Sequence, residues 1–322
     1  MQPPGGFSLD GGGCGNYANY SGYMLLGVPK VVEEAIRKSA VLIEALPYIK
    51  KFRNEIVVIK LGGSAQEDLD VTRRVFIDID FMFAAGMRPV VVYGGGKRIS
   101  AAMKETGKEA VFIHGQRVTD PETMKIVARV LIDETGAELV ELMREAGGQA
   151  ELLNGRDHGF LKAVKRRLPN YPDVDLGCVG EPISIVAEKA ATLLDRGIVP
   201  MIAPVACGTD NPAELFNING DSAAALIATE LGAAKLVFLS DTPGIFEDIK
   251  NPASMLSSVH ETEVEGMISK GVITGGMIPK VAACIDGLKG GVRKAHIVSG
   301  YQPHALLLEI FTAAGVGTEI IH

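Results

Sequence analysis

Two periodicities alternate along this chain. Ile56–Lys60 (IVVIK) is a β-branched run ended by Gly62-Gly63-Ser64, and Pro89–Tyr93 (PVVVY) is a second, stopped by Gly94-Gly95-Gly96. Both read as strands buried on two faces, the habit of parallel strands covered by helices. Further strands are predicted near Ala150–Leu153, Ile198–Ile202, Leu236–Leu239 and Ala295–Val298. Three- and four-residue spacing predicts helices over Asp68–Ala85, from near Lys97, and near Pro121–Glu145, Ile183–Arg196, Asp221–Leu231, Thr262–Lys270, Gly276–Leu288 and Pro303–Ala313. Asn154–Gly180 reads as hairpins or a loop-rich insertion. Alternating strands and helices predict an α/β fold with a mainly parallel, doubly covered sheet, a three-layer αβα sandwich.

The ends differ from this core. Residues 1–29, rich in Gly, Asn, Ser and Tyr, lack the basic start and apolar core of a secretory signal and read as a flexible extension. Residues 30–53 carry Val31, Ala35, Ser39, Leu42, Leu46 and Ile49 at helical spacing. Pro47 should kink or divide that helix. A helix ahead of the first strand has no place inside an α/β core, so it is expected on the outside or on another subunit.

Composition removes whole classes of function. The net charge of −7 argues against a nucleic-acid binder. No apolar run reaches the ~18 residues of a membrane span. Cys14, Cys178, Cys207 and Cys284 are scattered without a CxxC pair, which argues against a disulfide framework or zinc knuckle and suits a reducing, cytoplasmic setting. The six histidines have no metal-ligand spacing, and no metal site is expected.

The candidate chemistry sits at strand ends, where open α/β sheets bind ligands. Gly62-Gly63 and Gly94-Gly95 either make tight turns or turn backbone N–H groups toward an anion. Lys60 is either a lysine snorkelling from a sheet end or a cation aimed at a phosphate. Arg117, in HGQRVTD, is a surface arginine or a two-point clamp for a carboxylate. Asp221 is a helix cap or a partner for lysines; Asn217 and Asn219, two apart in an extended segment, should point the same way. Lys280, one turn into the helix opened by TGGMIPK, is a solvated lysine or a second cation at the same anion. Lysines, glycine loops, one arginine, amides and one carboxylate, with no obvious nucleophile, suit phosphoryl transfer.

In that order KLGGS, GGGK, RVTD, NINGD, LSDTPGI and GGMIPK resemble the amino-acid kinase family, and within it the members that phosphorylate N-acetyl-L-glutamate. IEALPYIKKF before the first strand and LLLEIFTAAGVGTEI near the end extend the likeness from about Val41 to Ile321. The resemblance implies the amino-acid kinase fold, with residues 54–206 binding the acyl amino acid and 207–322 binding ATP. It implies transfer from ATP to the side-chain carboxylate of N-acetyl-L-glutamate, a step of arginine biosynthesis. Lys60, Lys280 and Asp221 would be catalytic. Gly94, Gly95, Arg117, Asn217 and Asn219 would bind the acceptor. Gly62, Gly63, Asp241, Thr242, Pro243, Gly244, Ile245 and Phe246 would bind ATP, with Val272, Ile273, Thr274, Gly275, Gly276 and Met277. Mg2+ would ride on the nucleotide phosphates. His296, Glu309 and Gly315 look like the family's arginine effector site, and the N-terminal helix like the link that joins dimers into hexamers. Rival readings are a kinase of a related acid, such as N-acetyl-aminoadipate or aspartate, and a non-catalytic nucleotide or amino-acid sensor. One departure is Tyr93, where the family usually has histidine; a change in acceptor fit is expected from it.

Overall fold

The computed structural model describes residues 30–168, 170–312 and 315–322, so the extension over 1–29 lies outside the described residues. The chain divides into two units, one ending at Lys50 and one from Lys51 to His322. Helix α1 (Lys30–Phe52) contains Pro47 without being divided. The carbonyl that a proline leaves unpaired lies four residues back, at Ile43, which is exposed, so water can satisfy it. Val32, Ile36, Val41, Leu42 and Leu46 on α1 are exposed as well.

The second unit opens with β1 (Ile56–Leu61), α2 (Ser64–Glu67), α3 (Leu69–Ala84), β2 (Arg88–Tyr93) and α4 (Gly96–Glu105). A hairpin of β3 (Phe112–Ile113) and β4 (Gln116–Arg117) follows, then α5 (Pro121–Ala128), a π-helical stretch over Arg129–Gly136, and α6 (Ala137–Glu145). Next come β5 (Ala150–Leu153), α7 (Gly155–His158), β6 (Leu161–Lys165), β7 (Val179–Ile185), α8 (Ala187–Asp195), β8 (Val199–Ile202), β9 (Val205–Gly208) and β10 (Leu215–Ile218). The chain finishes through α9 (Gly220–Glu230), β11 (Lys235–Ser240), β12 (Ser258–His260), α10 (Val264–Ser269), α11 (Met277–Lys289), β13 (Lys294–Ser299), α12 (Ala305–Phe311) and β14 (Thr318–Ile321).

Eight strands form one sheet in the order β12-β14-β13-β11-β1-β2-β8-β5. Every neighbouring pair is parallel except β13 with β14. Strands from the two halves of the sequence meet where β1 lies against β11. Register decides which face each side chain takes. Lys60 lies level with Val92 and Phe238, and Leu61 with Tyr93 and Leu239. Val58, Val92 and Phe238 belong to the apolar core built with α8, α9 and α11. The alternate residues, among them Ile59, Leu61 and Tyr93, are fully buried on the opposite face, where α3, α6 and α12 pack. The result is the three-layer αβα arrangement that the alternation predicts.

Two predicted helices come out differently. Pro121–Glu145 is helical throughout but loosens into the π stretch Arg129–Gly136. Ile183–Arg196 is helical only from Ala187; Ile183 and Ile185 belong to β7. That strand closes a small barrel, β10-β7-β6-β9, and the pairing across it outweighs the local helical spacing. At its centre a Cβ on Gly180 would lie 2.6 Å from both Phe216 and Ile218, so the barrel closes only on glycine. β10 leads straight into α9 and so places the start of α9 under the end of β1.

Candidate active site

Lys60, the fifth residue of β1, is only 8% exposed. Its ammonium lies 2.9 Å from Asp221 Oδ1, and the ammonium of Lys280, in the first turn of α11, lies 3.4 Å from Asp221 Oδ2. One carboxylate therefore holds two cations from two different elements. Burial alone would raise the Asp221 carboxyl, but the charges and hydrogen bonds of Lys60 and Lys280 outweigh it and hold it below the usual carboxylate range. Asp221 does not cap α9. That role belongs to Asn219, whose Oδ1 accepts from the N–H groups of Asp221 and Ser222. Because Asn219 caps, it does not point with Asn217, whose amide donates to Thr119 Oγ1 at 3.2 Å. The expected pair of converging amides is thus a single amide and a cap, the turn into the helix breaking the strand's alternation.

Glycine makes the lysine arrangement possible. A Cβ on Gly62 would lie 2.2 Å from Lys60 Nζ. Gly63 has φ +70° and ψ −159°, a backbone conformation open only to glycine. The same turn is held by Asp241, whose Oδ1 accepts from Ser64 N–H at 2.9 Å and Ala65 N–H at 3.3 Å. Asp241 thus serves the loop after β1 from the end of β11.

The second glycine turn is only half free. Gly94 N–H donates to Leu61 O at 3.0 Å and to Gln66 Oε1 at 2.9 Å, so it has no N–H left for an acceptor substrate. Gly95, the residue before α4, has no hydrogen-bond partner for its N–H among the described residues. The donor of this loop is Gly95, not Gly94. Tyr93 is buried with its hydroxyl donating to Leu131 O in the π stretch at 2.7 Å, and burial raises its phenol pKa. Its side chain is fully buried and offers no surface to a bound acceptor, so an effect on acceptor fit would have to be indirect.

Arg117 is buried, not a surface arginine. It donates to Gly96 O at 2.7 Å and Ser100 Oγ at 2.8 Å, and lies over the Phe112 ring at 4.7 Å. Burial lowers its pKa, and no carboxylate pairs with it among the described residues. Asp120 caps the helix that follows, accepting from Thr123 N–H.

An open pocket of about 560 Å³ lies beside the lysines. Gly62, Gly63, Asp241, Thr242, Gly244, Ile245, Phe246, Val272, Thr274, Gly276, Met277 and Lys280 line it. Of the nucleotide residues expected from sequence, Pro243, Ile273 and Gly275 do not; Ile273 is 1% exposed and belongs to the core. Leu239 and Ser240, which open the LSDTPGI motif, also line the pocket, as do Glu247, Asp248, Ile249 and Gly271, which no sequence motif marked.

The amino acid kinase family model matches residues 55–299. The chain belongs to the amino acid kinase family. It is an enzyme of that family, and similar along almost its whole core to acetylglutamate kinases. That of Desulfitobacterium hafniense is 45% identical over 293 residues, covering 89% of this chain and 98% of the relative. That of Pelotomaculum thermopropionicum is 45% identical over 289 residues, covering 88% and 97%. Among solved structures, carbamate kinase from Giardia lamblia bound to AMP-PNP superposes with a TM-score of 0.60 at 20% identity, over 83% of this chain and 98% of that one. N-acetylglutamate synthase from Neisseria gonorrhoeae complexed with coenzyme A and L-arginine gives 0.73 at 22%; this chain covers 65% of its length. Both likenesses are of fold. No described helix is long and apolar enough to cross a membrane.

Away from the pocket, His296 on β13, Glu309 on α12 and Gly315 come together. His296 Nδ1 lies 2.7 Å from Glu309 Oε1, and Val316 N–H donates to Glu309 Oε2 at 3.0 Å. A Cβ on Gly315 would sit 3.1 Å from that same oxygen. Burial lowers the His296 pKa in spite of Glu309. Lys235 closes the cluster, 3.5 Å from Glu309 O, its pKa pushed down to about 8 by burial.

The two-cation grip on Asp221 has a stability signature. Its folded pKa is below the unfolded one, so its contribution is present above the unfolded carboxyl pKa and is lost as pH falls through the folded pKa. Asp221→Asn should be less stable by about 3 kcal/mol near neutral pH, because two buried cations lose their anion. Below about pH 4 the gap to wild type should narrow. Melting curves of both proteins across pH test this, and a gap that is constant with pH would contradict it.

Proposed function

We propose that this chain transfers the γ-phosphoryl group of ATP to the side-chain carboxylate of N-acetyl-L-glutamate, a step of arginine biosynthesis. The observation that carries the reading is Lys60 and Lys280 held on Asp221 beside an open pocket. A pure nucleotide or amino-acid sensor has no use for two cations bound so tightly to one carboxylate. The acceptor carboxylate oxygen forms the new P–O bond while the bond from the γ-phosphorus to the β–γ bridging oxygen breaks, and ADP leaves. Charge on the transferring phosphoryl oxygens is met by the two ammonium groups, which are positioned beforehand and need no reorganisation. Gly62, Gly63 and Gly95 offer backbone N–H groups at the two turns. Arg117 takes the acceptor's α-carboxylate, and Asn217 its polar groups.

The acidic side chains nearest the lysines and the first turn, Asp221 and Asp241, are occupied by lysines and backbone N–H groups. Mg2+ accordingly comes in on the nucleotide phosphates. The loops after β11 and before α11 hold ATP. Residues 54–206 form the acceptor lobe and 207–322 the nucleotide lobe, and the seam between β1 and β11 is the line of transfer. Three described cysteines are unpaired, in keeping with a reducing cytoplasm.

A coupled assay of ADP release against a panel of acyl and free amino acids tests the reading. N-acetyl-L-glutamate should give the highest kcat/KM. Preference for N-acetyl-aminoadipate or aspartate would reassign the acceptor, and no turnover with any acid would favour a sensor.

The reading includes feedback by arginine through a homo-oligomer. The exposed apolar side chains of α1 support a helix that joins dimers into a hexamer, and His296, Glu309 and Gly315 support an effector site. Arginine can inhibit only by binding a less active state better than the active one. Millimolar arginine should raise KM or lower kcat, and deleting residues 1–45 should abolish both the inhibition and the hexamer. A dimeric full-length protein indifferent to arginine would overturn this part and leave the kinase reading in place.

A further inference from the structure

Gln66, the third residue of α2, is 6% exposed and lies between the two glycine turns. Its Nε2 donates to Gly94 O at 2.7 Å and its Oε1 accepts from Gly94 N–H at 2.9 Å. The side-chain amide therefore pairs with Gly94 through both its donor and its acceptor, as an adjoining strand would. α2 has only one turn, yet it is pinned at both ends. Asp241 holds its first N–H groups, and the buried Thr72 hydroxyl of α3 reaches Gln66 O at 3.2 Å.

We propose that Gln66 is a positioning residue for phosphoryl transfer, fixing the Gly94 peptide and thereby aiming the Gly95 N–H at the bound substrate; the inference rests on the kinase reading above. The Gly94 carbonyl and the Gly95 N–H belong to one planar trans peptide and point in opposite directions. Fixing that carbonyl on Gln66 directs the Gly95 N–H away from α2. Three consecutive glycines would otherwise leave this peptide free to rotate. The far side of the loop is set separately. A Cβ on Gly95 would strike Leu131 Cδ2 at 2.6 Å, and Leu131 is anchored by the Tyr93 hydroxyl. Gln66 thus closes the last open rotation of a donor that catalysis needs in one orientation.

Gln66→Met keeps the length of the side chain and removes both hydrogen bonds. It should lower kcat by about 10-fold, as a slight misplacement of one donor does, while KM for ATP stays within about twofold. A merely structural role would lower Tm without this split. Gln66→Glu, which can still accept from Gly94 N–H but presents an oxygen to Gly94 O, should fall in the same direction. Independently of activity, hydrogen exchange over residues 94–97 should be faster in Gln66→Met by about 10-fold or more, with β11 and α9 unchanged. Wild-type kcat in a folded Gln66→Met, or unchanged exchange at 94–97, would overturn the proposal. If the wild-type protein turns over no acid, the kinase reading falls, and with it a positioning role in transfer.

Discussion

Alanine at Lys60 or at Lys280 should lower kcat by about 10²–10³-fold, the loss that follows removal of one preorganised charge or donor at a reacting centre. The two side chains come from β1 and α11, elements separated in sequence by most of the chain, and meet on one carboxylate. Each is held before substrate arrives, so its attraction for developing charge is not spent on reorganisation. The remaining lysine still neutralises Asp221, which keeps the single variants folded. Lys60 is the closer partner, at 2.9 Å against 3.4 Å, so its removal should cost more stability. Arginine at position 60 should not rescue: the ammonium already occupies the space that a Gly62 Cβ would fill. Steady-state kinetics with a melting curve for each variant decide the matter. A folded Lys60→Ala or Lys280→Ala with near-normal kcat would remove the lysines from the mechanism.

What the sequence reveals of this site follows physical range. β1, β2, β8, β11 and β13 are legible because each is a mostly apolar run with a sharp glycine, proline or polar end, and burial on both faces leaves little freedom in register. Lys60 stands out as a charge inside such a run. β12 and β14 are short and owe their existence to partners farther off in sequence, and β9 and β10, four residues each, are fixed by β6 and β7 as well as by each other, so no local pattern marks them. The Asn217 and Asn219 pairing fails for a similar reason. Period two holds only while the strand lasts, and the strand ends at Ile218. The Gly94 N–H could be assigned only with Gln66 in view, since a glycine run announces available donors but not which are already taken. Tyr93 is likewise visible as an unusual residue, while the face it takes depends on the register of β2 with β1.

Arg117→Lys should raise KM for the acyl amino acid by about 10²-fold while KM for ATP stays within about twofold, since truncating one partner of a buried charge pair costs about 2–5 kcal/mol. The basis is an imbalance in the substrate-free protein. Arg117 is 7% exposed and spends its donors on Gly96 O, Ser100 Oγ and the Met103 sulfur, none of them charged. Burial lowers its pKa, yet a guanidinium starts so high that it remains a cation at neutral pH. A buried cation without a counter-ion is costly, and an incoming carboxylate relieves that cost by displacing a neutral acceptor such as Ser100 Oγ and taking a two-point fork on the guanidinium. Lysine keeps the charge but not the fork, and it cannot hold Gly96 O and a carboxylate in one plane. Binding should therefore weaken without the chemistry of ATP being touched. Thermal shift provides a second reading of the same pair. The acid should raise Tm of the wild type and fail to raise that of Arg117→Lys at equal concentration, because stabilisation follows affinity for the folded state. A defect confined to KM for ATP would place Arg117 in the nucleotide half of the site, and an unchanged KM for the acid would leave its buried charge without a substrate partner.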